Sequence, residues 1–187
     1  MPGTGRLVQA TASGRWPPAP IRAALPKAHI GHGRRRILHL NVTHYPTADW
    51  IVQQLREAFP NESGHRYLIL DRDAKFSEGV IEAIRTMGMK PIRTAYQSPW
   101  QNGVAERWVA SCRRDLLDHV IVLNEAHLRR LSRDYLSYYH ADRTHDGLEK
   151  EPPDRRMVER KQTDQSRVVA VPRVGGLHHR YSWQEAA

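Results

Sequence analysis

A short apolar run that ends in charged residues is the feature that most constrains how this chain can fold. The run Tyr67-Leu68-Ile69-Leu70 is uniformly apolar, and the turn Asp71-Arg72-Asp73 follows it at once. A short apolar run bounded by a turn is typical of a buried strand. A buried strand needs other elements over its sheet, so we look for helices on either side of it.

Helical and strand patterns alternate around that run. Thr47 is a good N-cap before an apolar stripe that ends at Pro60, and Ser77 precedes a second stripe that stops at Gly88. We predict helices over residues 48–59, 77–88, 104–119 and 125–139, and strands over 37–42, 67–70 and 90–93. This order predicts an α/β domain with helices over a central sheet.

The ends of the chain differ from this middle part. Residues 1–35 are rich in proline and glycine and have no lasting apolar period, so we expect a disordered arm. Residues 36–153 form the predicted domain. Residues 154–187 form a C-terminal extension, in which Val168–Trp183 fits a β-hairpin turning at Gly175-Gly176.

The positive charge is concentrated in the arm. The formal net charge is +9, yet residues 1–36 carry seven basic and no acidic residues, which leaves 22 basic and 20 acidic residues beyond them. Such an arm is typical either of a disordered tail or of a DNA-contacting segment. No apolar run approaches the roughly 20 residues that span a bilayer. The single Cys112 excludes an internal disulfide and favours a reducing, cytoplasmic location.

Two carboxylates are the candidates for chemistry. Asp71 lies at the carboxyl end of a predicted strand, where α/β sheets often present functional groups, and Glu106 lies in the first turn of a predicted helix. If the chain brings them together, they suit Mg²⁺ or Mn²⁺, which prefer oxygen ligands. Each also has an ordinary explanation, because a charged turn is usually solvated and the helix dipole favours Glu in a first turn.

Three segments in order resemble the catalytic core of integrases and insertion-sequence transposases. They are Leu70–Phe76, then Ser98–Arg107, then Tyr138–Leu148 followed by Pro152. The resemblance implies a ribonuclease-H-like fold, polynucleotidyl transfer on DNA, and two Asp and one Glu as catalytic metal ligands. Asp71 matches the second Asp and Glu106 the Glu, while Asp73 is a secondary candidate where many members carry Gly.

The first catalytic Asp has no counterpart. It lies on the family's first strand, and this chain has no Asp or Glu before Asp49. We therefore expect an integrase core that is incomplete at its N-terminal strands, with a homo-oligomer or a partner chain as a possible source of the missing strands. The resemblance implies contact with DNA, for which the candidates are Asn102, Arg107, Arg113 and Arg114, although a solvated helix face explains the arginines equally well.

Three hypotheses follow for the function. The chain is an impaired integrase or transposase core of a mobile element, or a non-catalytic nucleic-acid-binding protein, or a gene remnant without function. A membrane partner is not expected.

Overall fold

The computed structural model describes residues 6–10, 25–60 and 64–185. Its centre is a mixed sheet of five strands in the order β3-β2-β1-β4-β5. Strand β1 is parallel to β4 and antiparallel to β2, and β4 is parallel to β5. The strands are β1 (Arg6–Ala10), β2 (Leu25–Gly31), β3 (Ile37–Thr43), β4 (His65–Leu70) and β5 (Lys90–Arg93).

Four helices cover the two faces of this sheet: α1 (Ala48–Ala58), α2 (Glu78–Thr86), α3 (Gly103–Asp115) and α4 (Glu125–Ala141). Helices α1 and α2 pack on one face around Leu55, Leu68 and Ile84. Helices α3 and α4 cover the other face, where Trp108 and Tyr135 pack against Ile30. The predicted α/β layers are confirmed. None of the helices in these described ranges is both long and apolar enough to cross a membrane.

Helix boundaries follow local hydrogen bonding. The Thr47 hydroxyl accepts a hydrogen bond from the Trp50 N–H at 3.2 Å, which confirms the predicted N-cap of α1. Ser77 precedes α2 but makes no such bond. Helix α3 ends at Asp115, earlier than predicted, because the chain tightens into a 3₁₀ turn over Leu117–His119.

The two N-terminal strands are present, so the expectation that they are missing is wrong. Strands β1 and β2 lie inside the stretch predicted to be a disordered arm, and Val8, Ala28 and Ile30 are fully or almost fully buried. No partner chain is needed to supply them. Pro26 is tolerated because β1 pairs only with the His29–Gly31 end of β2, which leaves the Pro26 end paired to β3 alone. The rest of the predicted arm, residues 1–5 and 11–24, lies outside the described residues.

The predicted C-terminal hairpin is confirmed. Strands β6 (Ser166–Arg173) and β7 (His178–Glu185) pair antiparallel and turn through Gly175 and Gly176, both of which have a positive φ. Asp142, at the end of α4, forms ion pairs with Arg173 at 2.8 Å and Arg180 at 3.8 Å. The hairpin is thereby attached to the domain.

Candidate active site and basic cavity

Asp71 and Glu106 approach each other at one edge of the sheet. Asp71 directly follows β4, and Glu106 lies in the first turn of α3. Partial burial, and then the negative charge of Asp71, raise the pKa of the Glu106 carboxyl above its ordinary value. The structure therefore brings together two carboxylates that are 35 positions apart in the sequence. Glu106 accepts no hydrogen bond from any other residue that the structure describes, so its oxygens remain open to a ligand.

Buried amides position the start of α3 against β1. The Gln9 Oε1 accepts a hydrogen bond from the Ala105 N–H at 3.0 Å, which satisfies one of the free N–H groups at the helix start. The Asn102 Nδ2 donates to the carbonyl oxygen of Ala10 at 3.0 Å. These two bonds fix the first turn of α3, and with it Glu106, beside the central strands.

A turn of the backbone orients Asp71. The Asp71 Oδ1 accepts a hydrogen bond from the Asp73 N–H at 3.1 Å, as in an Asx turn. Asp73 itself points to Lys75, with which it forms an ion pair at 3.3 Å. Asp73 is therefore engaged locally, which does not favour it as a further ligand.

No third carboxylate completes the pair in the described part of the chain. Strand β1 offers Gln9, whose neutral carbonyl oxygen is already bonded to α3. No group of three or more His, Cys, Asp or Glu side chains among the described residues is arranged to hold a metal ion. Asp71 and Glu106 fit one Mg²⁺ completed by water, because hard oxygen ligands suit that ion. They do not fit two ions, which need further shared oxygen ligands.

The four predicted DNA-contacting residues have different environments. Asn102 is only 2% exposed and its amide is bonded to β1, so in this position it holds the fold and does not face solvent. Arg113 forms an ion pair with Asp118 at 3.2 Å. Arg107 and Arg114 line a large open cavity, and their guanidinium groups have no hydrogen bond or ion pair to any residue in the described ranges.

That cavity has a volume of about 830 Å³ and a basic wall. It runs along α3, from Gln9 and Gly103 near Glu106 to the turn that follows α4. Arg35 and His145 also line it. The sequence placed Arg35 in the basic arm without locating it, and it did not indicate a role for His145 in DNA contact. Arg35 and His145 come to the same cavity because the β2–β3 turn packs against the turn after α4. The Arg–x–His pair at Arg143 and His145 was visible in the sequence, but as a family signature without a location.

Comparison with known families finds a partial match. Residues 87–153 match the family model described as "Integrase core domain". The chain is therefore similar to integrase core domains over this stretch. The matched range includes Glu106 and the whole of α3 and α4, whereas Asp71 and β1 lie outside it. No curated protein matches the chain.

Solved structures support the same assignment for the fold. The catalytic core domain of BIV integrase is similar with a TM-score of 0.56 and 16% identity, over 79% of this chain and 90% of that one. The HTLV-2 integrase catalytic core domain, solved in complex with magnesium in a trimeric form, is similar with a TM-score of 0.56 and 10% identity, over 78% of this chain and 92% of that one. The predicted integrase-core fold is confirmed.

Proposed function

We propose that this chain is an integrase core from a mobile DNA element that binds DNA but does not by itself cleave or join it. One observation carries the proposal: the charge of Asp71 acts on Glu106, and the neighbouring strand β1 offers the amide of Gln9 and no carboxylate. The integrase core fold supplies the context for the DNA substrate.

The chemistry explains why the number of carboxylates matters. Polynucleotidyl transfer with two metal ions requires both ions to be held around one phosphate, where they stabilise the attacking and leaving oxygens. Two carboxylates hold one Mg²⁺ weakly, because Mg²⁺ keeps several of its waters. In this proposal Asp71 and Glu106 are the residual metal ligands, and their acidic pair no longer positions a reacting phosphate well enough for turnover.

The DNA-binding part of the proposal stands on a separate observation. The guanidinium groups of Arg107 and Arg114 on α3 have no partner among the described residues, and both residues line the cavity that runs along this helix. Unpaired arginines favour contact with phosphate groups, which fixes the position of DNA without reading its sequence. A protein that kept this surface would bind DNA after losing the reaction.

The test is a nicking and strand-transfer assay on supercoiled DNA with Mg²⁺ or Mn²⁺. The wild-type chain, Asp71→Asn and the neighbouring control Asp73→Asn are compared, and DNA binding by each is measured alongside. We expect binding without product in all three. Product formed by the wild type and by Asp73→Asn, but not by Asp71→Asn, would contradict the proposed loss of catalysis. Absence of DNA binding would contradict the proposal as a whole.

A further inference from the structure

We infer that the basic cavity along α3 holds a single DNA strand, with its phosphates on Arg35, Arg107 and Arg114 and an unpaired base on Trp100. This inference rests on the proposed function, since it takes DNA as the ligand. It adds a location, a set of contacts and a strand preference that the integrase core fold does not by itself supply.

Positive charge exceeds negative charge on the cavity wall. The guanidinium groups of Arg35, Arg107 and Arg114 form no hydrogen bond or ion pair with another described residue, and Asp146 is the one acidic side chain among the described residues that line the cavity. Arg143 also lines the cavity, but Asp115 neutralises it at 2.8 Å. Three guanidinium groups facing one carboxylate leave an excess of positive charge around one space, and a bound anion relieves the repulsion between them. Phosphate suits them because a guanidinium donates two parallel hydrogen bonds to it.

Arg35 reaches the cavity from the turn between β2 and β3. Its backbone has a φ of 56°, in the left-handed region, at this turn. Its guanidinium group packs over the α-carbon of Gly147, where a Cβ would collide with the Arg35 Nη2. The absence of a side chain at Gly147 thus permits the close approach of Arg35.

The arginines of α3 extend the site along the helix. Arg107 and Arg114 are seven residues apart, so they lie on the same face two turns apart, with a rise of about 10 Å between them. That distance exceeds the size of one phosphate group, so the two side chains contact different phosphates of a strand. The strand therefore runs parallel to α3, from the neighbourhood of Glu106 towards Arg114.

Trp100 favours a single strand over a duplex. It lies in the 3₁₀ turn immediately before α3, lines the cavity, and is 73% exposed. A large exposed aromatic ring beside a row of positive charges is the usual composition of single-strand sites, because any unpaired base can stack on it. The bases of a duplex are stacked on each other, and their faces are not open to Trp100.

The first experiment measures binding of fluorescent oligothymidylate, and of a duplex of the same length, by anisotropy at several salt concentrations. Replacing Arg35, Arg107 or Arg114 by Ala should each reduce the salt slope for the single strand by about 0.7, since each removes one phosphate contact. Arg113→Ala is the comparison on the same helix and should reduce the slope less, because Arg113 is paired with Asp118 and does not line the cavity. Trp100→Ala should weaken single-strand binding about tenfold and leave duplex binding unchanged.

Gly147→Ala separates geometry from charge. It alters no charge, yet its Cβ displaces the end of the Arg35 side chain, so it should weaken single-strand binding, although by less than Arg35→Ala does. In case a variant does not fold, the wild-type protein is also treated with phenylglyoxal, and the modified arginines are identified by mass spectrometry. Bound oligothymidylate should protect Arg35, Arg107 and Arg114, but not Arg113.

The outcomes distinguish this inference from the proposed function. DNA binding that is indifferent to the cavity variants, equal modification of the four arginines with and without DNA, or a preference for duplex would each overturn the inference and leave DNA binding intact. Absence of binding to either oligonucleotide would overturn both.

Discussion

The side chain of Gln9 determines what strand β1 contributes to the candidate site. It lies on the central strand β1, is 3% exposed, and is bonded to the first turn of α3 beside Glu106. A carboxylate there would add a third negative charge to Asp71 and Glu106 and would suit a second cation. The neutral amide instead completes a hydrogen bond of the fold. Gln9 thus holds the first turn of α3 in place.

The interaction between Asp71 and Glu106 leads to a prediction about the pKa of Glu106. The pKa of Glu106 is raised by partial burial and by the charge of Asp71. Asp71→Asn removes the charge and keeps the burial, so the Glu106 pKa should fall but stay above its ordinary value. Carboxyl ¹³C chemical shifts followed through a pH titration measure this directly. An unchanged Glu106 pKa in the variant would mean that the two carboxylates do not interact, whereas Asp73→Asn should have little effect.

The burial of the His29 ring predicts that the folded protein loses stability at acidic pH. It lies on β2 with its ring against Phe59 and His39, at centroid distances of 5.9 and 6.0 Å. Burial, and then the neighbouring His39, lower the pKa of His29 to about 3. Below pH 6.5 the His29 ring becomes protonated in the unfolded chain but stays neutral in the folded one. The free energy of unfolding therefore falls as the pH drops. From this residue alone the loss between pH 7 and pH 5 should be about 2 kcal/mol.

Urea unfolding at pH 7 and at pH 5 measures that loss. His29→Phe keeps an aromatic ring in the core and removes the titrating group, so its stability should depend less on pH than that of the wild type. The comparison matters because burial also lowers the pKa of His140 and of His145, the latter to about 4, and these groups add to the acid sensitivity. An equal loss in both proteins would contradict the role of His29.

At the scale of elements, the sequence predicted what periodicity and capping determine. Strand β4, all four helices and the C-terminal hairpin were predicted because each has an apolar stripe, a cap or a glycine turn of its own. Strand β1 was missed because it has only five residues, and β2 because Pro26 lies within it. Both are stabilised by pairing with strands distant in the sequence, and a local pattern carries no signal for such pairing.

One buried carboxylate contributes to the attachment of the hairpin, together with His178, which stacks on Tyr138. The Asp142 side chain is 2% exposed, and its partners Arg173 and Arg180 belong to β6 and β7. Asp142→Asn should loosen the hairpin while the central sheet stays folded, because a partly exposed arginine tolerates the loss by turning to water. Trypsin should then cut the segment 154–165 about tenfold faster, with a nearly unchanged melting temperature of the domain.

The control for that prediction is Asp164→Asn. Asp164 pairs with Lys161 at 3.6 Å and its side chain is fully exposed, so the pair contributes little. Equal cleavage rates in the two variants, or unfolding of the whole domain in Asp142→Asn, would show that Asp142 does not act as a local attachment.

At the scale of the whole molecule, the sequence predicted that Asp71 and Glu106 lie at one sheet edge, but it did not predict the basic cavity. Asp71 and Glu106 were selected because a carboxylate after a buried strand and one in a first helical turn are local signals. Arg35 joins Arg107 only through the packing of the β2–β3 turn against the turn containing Gly147. Such a meeting of distant turns depends on tertiary structure. The missing third carboxylate, in contrast, was already evident from the absence of any acidic residue before Asp49.

The central claim is that this integrase core is one carboxylate short of a site for two metal ions. The most direct measurement is the stoichiometry of Mn²⁺ binding by electron paramagnetic resonance, with the wild type compared with Glu106→Gln and the control Glu78→Gln. We predict at most one weakly bound Mn²⁺ per chain, lost in Glu106→Gln and kept in Glu78→Gln, because two carboxylates hold one hard cation at most. Two tightly bound, magnetically coupled Mn²⁺ ions in the wild type would contradict the account.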